Sequence, residues 1–255
     1  MKMVCKLSED GFEVEESKII NLNCKKAFKY TFWKQNNIYA EFYKDEAIDM
    51  LYLSLAVFAA DRLILRENGE DAWSREIELY MPVLCVDKWI SCRSLVEEML
   101  SFLTGDRWKI CFRERKLTEI EKKAKEKWEK VTEKNVKVSK ICMFSGGLDS
   151  CIGALNLLCD KEDASDTVFV SHYGGGKGTV EYQRMLKDAF INRFNVDESN
   201  FVQNYAAIVT KKEDKKEDTT RSRSFMFFSH AIAYASAMGK EIELIIPENG
   251  LISLN

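Results

Sequence analysis

Proline and glycine are both scarce, at 2 and 12 of the 255 residues, so the few places where glycines cluster stand out. The only two histidines, His172 and His230, lie far apart in the chain, which leaves no local metal-binding pair. Eight cysteines are present, yet no CxxC pair occurs. Thiols so scattered, mostly beside apolar neighbours, read as free packing residues rather than as a disulfide framework or a zinc site. No apolar run reaches membrane-spanning length: the longest, Met50 to Ala60, is interrupted by Ser54. The opening MKMVCKLSEDGFEVEE has no apolar core of signal-peptide length. A soluble, cytoplasmic protein without a membrane partner is expected. Charge of one sign is missing too. The 38 Lys+Arg and 41 Asp+Glu give a net charge of −3, so composition supplies no bulk attraction to nucleic acid.

What is present is enough apolar material, 46% of residues against 31% charged, to build a real core and to exclude a disordered chain. At roughly 150 residues per domain, the length suits one large domain or two small ones. Residues 1–112 read as a small α+β domain. Within it, 27–34 and 38–43 have strand composition around an Asn36-Asn37 turn. Asp45 caps a long apolar helix to Leu65, 76–83 alternates as a strand, and Ser94 to Leu103 is a helix closed by Thr104-Gly105. Trp108, Ile110 and Phe112 alternate again. Residues 113–137 are mostly Lys, Arg and Glu with a narrow apolar stripe, which predicts a solvated connecting helix.

From 138 to 255 short apolar segments alternate with helical ones. Strands are expected at 136–144, 166–172, 200–205 and 241–247, and helices at 150–160, 180–194 and 222–238. Such βαβα alternation predicts a Rossmann-like parallel sheet covered on both faces, with ligands beyond the carboxyl ends of its strands.

The strongest local signal is Phe144-Ser145-Gly146-Gly147-Leu148-Asp149-Ser150, between a strand and a helix. Adjacent glycines let backbone amides approach an anion without a Cβ in the way. The helix N-terminus adds its dipole, and Ser145 and Ser150 add hydroxyls. Asp149 suits such a loop if it holds Mg²⁺ or caps the loop amides. The Walker pattern is absent. Further on, His172-Tyr173-Gly174-Gly175-Gly176-Lys177-Gly178 ends the second strand, where His172 or Tyr173 can stack on a base and Lys177 can reach phosphate. Arg221-Ser222-Arg223-Ser224 opens a buried apolar helix, where two arginines suit a phosphate. His230 inside that helix reads as core, and Cys151 beside the loop as packing. Glu248 and Asn249, after the last strand, offer an acceptor and an amide for a nucleobase-like edge.

The SGGLDS string resembles the signature of the N-type ATP pyrophosphatases, the PP-loop enzymes. That resemblance implies cleavage of ATP between the α and β phosphates, with Ser145 to Ser150, Leu148 included, around the pyrophosphate. With the Arg-x-Arg helix and the PENG segment, residues 138–255 are most similar to the 7-cyano-7-deazaguanine synthase (QueC) group. The resemblance implies an ATP-dependent carbon–nitrogen ligase that adenylates a deazaguanine-like carboxylic acid. The acyl-adenylate then goes to an amide, a nitrile or a conjugate with an amine, with ATP and Mg²⁺ as cofactors. Asp149, Arg221 and Arg223 would be its catalytic residues. Two features depart from the housekeeping enzymes. The loop lies behind a separate domain, including Asp71-Ala72-Trp73-Ser74-Arg75 and Leu103-Thr104-Gly105-Asp106-Arg107-Trp108, which looks like the layout of QueC-like proteins of bacterial antiphage operons. The cysteine-rich zinc segment of the group is also missing, so either zinc is absent or the chain is shortened. A homo-oligomer and a protein partner in a defence operon are expected. The alternatives are another PP-loop amidotransferase, a tRNA-modifying ligase, or a non-catalytic nucleotide-binding subunit of a defence complex.

Overall fold

A computed structural model describes residues 1–8, 10–35, 38–69, 73–135, 137–159, 166–174, 177–211 and 215–248. The protein is α/β, and its strands fall into two sheets. The chain forms two compact units, each assembled from three stretches of sequence. One comprises Met1–Lys29, Asp45–Lys122 and Ala207–Ser229; the other comprises Tyr30–Lys44, Lys123–Ala206 and His230–Asn255.

In the first unit, β1 (Lys2–Lys6), β2 (Ser17–Asn21), β4 (Glu76–Val83) and β5 (Arg107–Glu114) form a sheet in the order β2-β1-β4-β5. Every pairing in it is parallel. This corrects the expected α+β arrangement. Strands β1 and β2 carry too few alternating residues to stand out in the sequence, yet they complete the sheet beside β4. The helix α1 (Asp45–Leu63) packs on β4 and is buried nearly all round, from Ala47 to Asp61. Helices α2 (Val86–Ser91) and α3 (Arg93–Thr104) cross from β4 to β5, as a parallel pair requires. Gly105 ends α3 in the left-handed region, at φ 73°, where glycine carries no Cβ penalty.

The short strand β3 (Phe28–Tyr30) covers only the start of the strand expected at 27–34; a 3-10 turn, Phe32–Lys34, follows it. Segment 38–43 is not a strand, and Tyr39 forms an isolated bridge with Asn135. Its aromatic residues serve as packing anchors: Phe42 stacks on Trp33 at 6.4 Å, and Tyr43 meets Phe32 at 5.0 Å. The Asn36-Asn37 turn lies outside the described residues. The charged stretch holds α4 (Glu119–Lys130).

The second sheet has the order β3-β8-β7-β6-β9, with β6 (Lys140–Met143), β7 (Thr167–Tyr173), β8 (Phe201–Ile208) and β9 (Glu243–Ile245). The pairings β6–β7, β6–β9 and β7–β8 are parallel. Helices α5 (Leu148–Cys159), α6 (Lys177–Phe194) and α7 (Arg223–Ala235) alternate with these strands. From β6 the chain proceeds outward through β7 to β8 and then returns to β9 on the far side of β6. The carboxyl end of β6 is therefore the switch point of the sheet, where a crevice opens in folds of this kind.

Candidate functional site

The glycine loop leaves β6 at that switch point. Its root is fixed by Phe144, 1% exposed, whose ring packs against Phe169 at 6.3 Å, Phe190 at 5.9 Å and Phe201 at 6.2 Å. The Phe144 amide donates to Val170 O at 2.7 Å, and its carbonyl accepts from Ser171 Oγ at 2.7 Å. Past this anchor Ser145, Gly147 and Leu148 are exposed, Leu148 at 75%.

The loop closes on Ser150, which is buried. Its Oγ accepts from the Gly146 amide at 3.1 Å and from Ser145 Oγ at 3.1 Å, and donates to Gly147 O at 2.9 Å. Ser145 Oγ in turn accepts from the Gly147 amide at 3.3 Å. Gly146 takes φ 85°, in the left-handed region, and a Cβ there would lie 2.8 Å from Gln183 Cγ. Glycine is required at that position on both counts. The Cys151 amide donates to Gly147 O at 3.0 Å and so starts the hydrogen bonding of α5. The first N–H groups of that helix have no carbonyl of their own helix to meet, and they point with its dipole toward the loop. Serine hydroxyls cap Gly146 and Gly147, which resolves one of the two roles open to Asp149: its partly exposed carboxylate is not the cap for those amides.

Gln183, which the sequence did not single out, holds the loop from α6. Its Nε2 donates to Ser145 O at 2.8 Å and to His172 O at 3.1 Å. An amide inside an amphipathic helix carries no periodic signal that marks it as a contact to a distant loop.

The second candidate segment is only partly visible. Gly175, Gly176 and the side chain of Lys177 lie outside the described residues; Lys177 is the first residue of α6. His172 is 2% exposed, and its ring lies 5.8 Å from that of His230. The two histidines, distant in sequence, are neighbours in the fold. A base stacking on His172 would need that ring uncovered, whereas Tyr173 is partly exposed beside Tyr205 at 5.0 Å. His230 is fully buried, as expected of a core residue. Glu248 is exposed three residues beyond β9, and β9 adjoins β6 in the sheet. Asn249 lies outside the described residues.

Arg221 and Arg223 belong to the first unit. Arg221 is exposed, donates from Nη1 to Thr104 O at 2.7 Å and lies over the Trp73 ring at 5.5 Å. It therefore bears no burial penalty that an anion would have to relieve. Between the arginines, Ser222 Oγ donates to Asp61 Oδ2 at 2.9 Å, which Thr219 Oγ1 also reaches at 3.2 Å. Asp61 is one corner of a buried charge cluster. The guanidinium of Arg75, 0% exposed, bonds Asp61 Oδ1 at 2.6 Å and Asp106 Oδ1 at 3.0 Å. Arg66 adds a bidentate pair to Asp106 at 2.9 and 3.1 Å. Burial pushes the Asp106 carboxyl up, but the hydrogen bonds and charge of Arg75, with Arg66 behind them, outweigh it and leave the pKa below the ordinary range. The DAWSR and LTGDRW segments noted in the sequence thus meet in one ionic cluster beside the start of α7. Asp71 and Ala72 lie outside the described residues.

All eight cysteines are free; Cys5 and Cys142 are the buried ones. Burial pushes the thiol of Cys142, on β6, up to about 12, and Cys151 packs against the same core. Cys142 therefore supplies no ready thiolate. Among the described residues no group of three or more His, Cys, Asp or Glu side chains could hold a metal ion. Asp149 is the one carboxylate of the glycine loop, and it is partly exposed. Among the described residues no helix is long and apolar enough to cross a membrane.

No family model, curated protein or solved structure matches the chain.

Proposed function

We propose that the chain is an ATP-dependent carbon–nitrogen ligase of the PP-loop kind, acting on the carboxylate of a deazaguanine-like acid. The observation that carries this reading is the SGGLDS loop itself. It stands at the switch point of a parallel sheet, opens a helix and holds Gly146 in a left-handed conformation that only glycine adopts readily. Backbone amides at such a turn favour a multiply charged anion, and pyrophosphate is the leaving group of adenylation. A carboxylate oxygen of the acid attacks the α-phosphorus of ATP, and the α–β bridging bond breaks. Pyrophosphate departs into the loop and leaves an acyl-adenylate. An amine nitrogen then attacks the acyl carbon, the bond to AMP breaks, and an amide forms. A second activation of that amide would give a nitrile when the amine is ammonia.

In this scheme the loop amides and the α5 N-terminus hold the developing pyrophosphate charge. Magnesium, when bound, neutralises phosphate charge, and Asp149 is the residue that would ligate it. The resemblance alone assigns Arg221 and Arg223 to the phosphates; Ser222 between them is fixed by Asp61. Glu248 and Asn249 are proposed to read the edge of the acid, Tyr173 or His172 to stack on adenine, and Lys177 to reach phosphate. A role in bacterial antiviral defence, with a partner protein and a homo-oligomeric assembly, is proposed from the resemblance.

The mass of the substrate-derived product tests the reading. Incubation with ATP, Mg²⁺, carboxy-deazaguanine and ammonia should yield the amide or nitrile of that acid. Recovery of the unchanged acid under all amine conditions would sink it.

A further inference from the structure

We infer that Gln183 is a positioning residue that sets the direction of the Ser145–Gly146 peptide and so pre-forms the anion loop. Its functional half rests on the phosphate reading above; its structural half rests on geometry alone. Gln183 lies on α6 and is 2% exposed. Two carbonyl oxygens, Ser145 O at 2.8 Å and His172 O at 3.1 Å, both need donors, and only the amide nitrogen can supply them. Its Oε1 accepts from Gln203 Nε2, on β8, at 2.8 Å. The chemistry of these three partners leaves one orientation for the amide. Gln203 is held as well, since its backbone carbonyl accepts from Gln35 Nε2 at 2.9 Å.

The consequence follows from the planarity of the peptide unit. In a trans peptide the C=O of one residue and the N–H of the next point in opposite directions. When Gln183 draws the Ser145 carbonyl toward α6, it turns the Gly146 N–H the other way, into the loop, where it meets Ser150 Oγ at 3.1 Å. Glycine has no Cβ to resist a flip of that plane, and a second glycine follows, so the sequence alone does not hold it. Gln183 also fills the space beside Gly146, with Cγ 2.8 Å from where a Cβ would stand. One side chain therefore orients the first amide of the loop and closes off its other face. An anion then takes over that amide from Ser150 Oγ without the peptide having to turn, and donors oriented before the anion arrives bind it more tightly than donors that must be ordered.

The test compares Gln183→Met, which keeps length and loses both donors, with Leu186→Ala, which removes packing from the same helix but no bond to the loop. Two quantities are read: hydrogen exchange of the 144–151 segment in ligand-free protein, and affinity for pyrophosphate with Mg²⁺. Gln183→Met should speed loop exchange and weaken pyrophosphate binding, each by about tenfold relative to Leu186→Ala, the effect expected from lost buried hydrogen bonds. Should Gln183→Met fail to fold, Gln203→Leu removes the donor that orients the Gln183 amide and is read the same way. Loop exchange and pyrophosphate affinity no different from Leu186→Ala would overturn the inference. Faster loop exchange in a protein whose wild type binds no pyrophosphate would support the positioning role and overturn the phosphate reading instead.

Discussion

Gly153, in the second turn of α5, lies against Pro247: a Cβ on Gly153 would stand 2.5 Å from both Cβ and Cγ of the proline ring. The contact ties the segment after β9 to the helix that carries the loop. A proline ring cannot swing aside as a flexible side chain would, so Gly153→Ala must displace residues 246–248. The expected cost is about 1–3 kcal/mol of stability, as for other overpacked sites, read by urea unfolding. If Glu248 contacts the acid, the same variant should raise KM for the acid while leaving pyrophosphate affinity near wild type. An unchanged unfolding midpoint would show that the contact is not made.

Gly146→Ala meets two obstacles at once, the positive φ and the Gln183 side chain. The backbone strain alone should cost about 1–2 kcal/mol. The protein should still fold, with its far-ultraviolet dichroism retained, but lose measurable pyrophosphate binding in calorimetry. Retained binding would mean that the loop amides are not the anion site.

The buried cluster of Arg75, Asp61 and Asp106 should behave as one unit. Arg75→Met leaves two buried carboxylates with reduced compensation, and the expected loss is about 3–5 kcal/mol. Chemical denaturation checks this; a loss below 1 kcal/mol, about the size of a surface pair, would contradict it.

The acid limb of stability carries a sign that can be measured. The pKa of Asp106 is lower in the folded protein than in the unfolded chain, so its contribution is complete above the ordinary aspartate value of about 3.9 and is lost as pH falls through the folded value. The advantage of wild type over Asp106→Asn should therefore shrink as pH falls below about 3.9. Asp49 has the opposite sign. Burial raises its carboxyl despite amide donors from Leu84 and Cys85 and the charge of Arg115, so its contribution weakens as pH rises from the ordinary value through the raised one. Asp49→Asn should remove that slope from the pH dependence of the urea midpoint. An unaltered slope would contradict the assignment.

The alternation from 138 onward was legible because each strand and helix there declares itself locally. The expected helix at 150–160 is α5, Leu148–Cys159, and the strand at 200–205 is the start of β8. Glycine placement was legible for the same reason: Gly146 and Gly105 both occupy left-handed positions. Long-range pairings were not. Nothing near Arg75 in the sequence points to Asp106 or Asp61, and nothing in α6 marks Gln183 as the support of a loop 38 residues away. Aromatic residues at 38–43 read as strand because packing clusters and pleated strands use the same side chains. β1 and β2 are too short for alternation to show; both join the sheet parallel, as β5 does to β4.

Cleavage of ATP labelled in the α-phosphate tests the central claim most directly. With Mg²⁺ and carboxy-deazaguanine, AMP and pyrophosphate should appear together. They should not form without the acid, and Asp149→Ala should abolish both while keeping the fold. ADP and orthophosphate as products, undiminished turnover in Asp149→Ala, or bound ATP that is never cleaved would contradict the account.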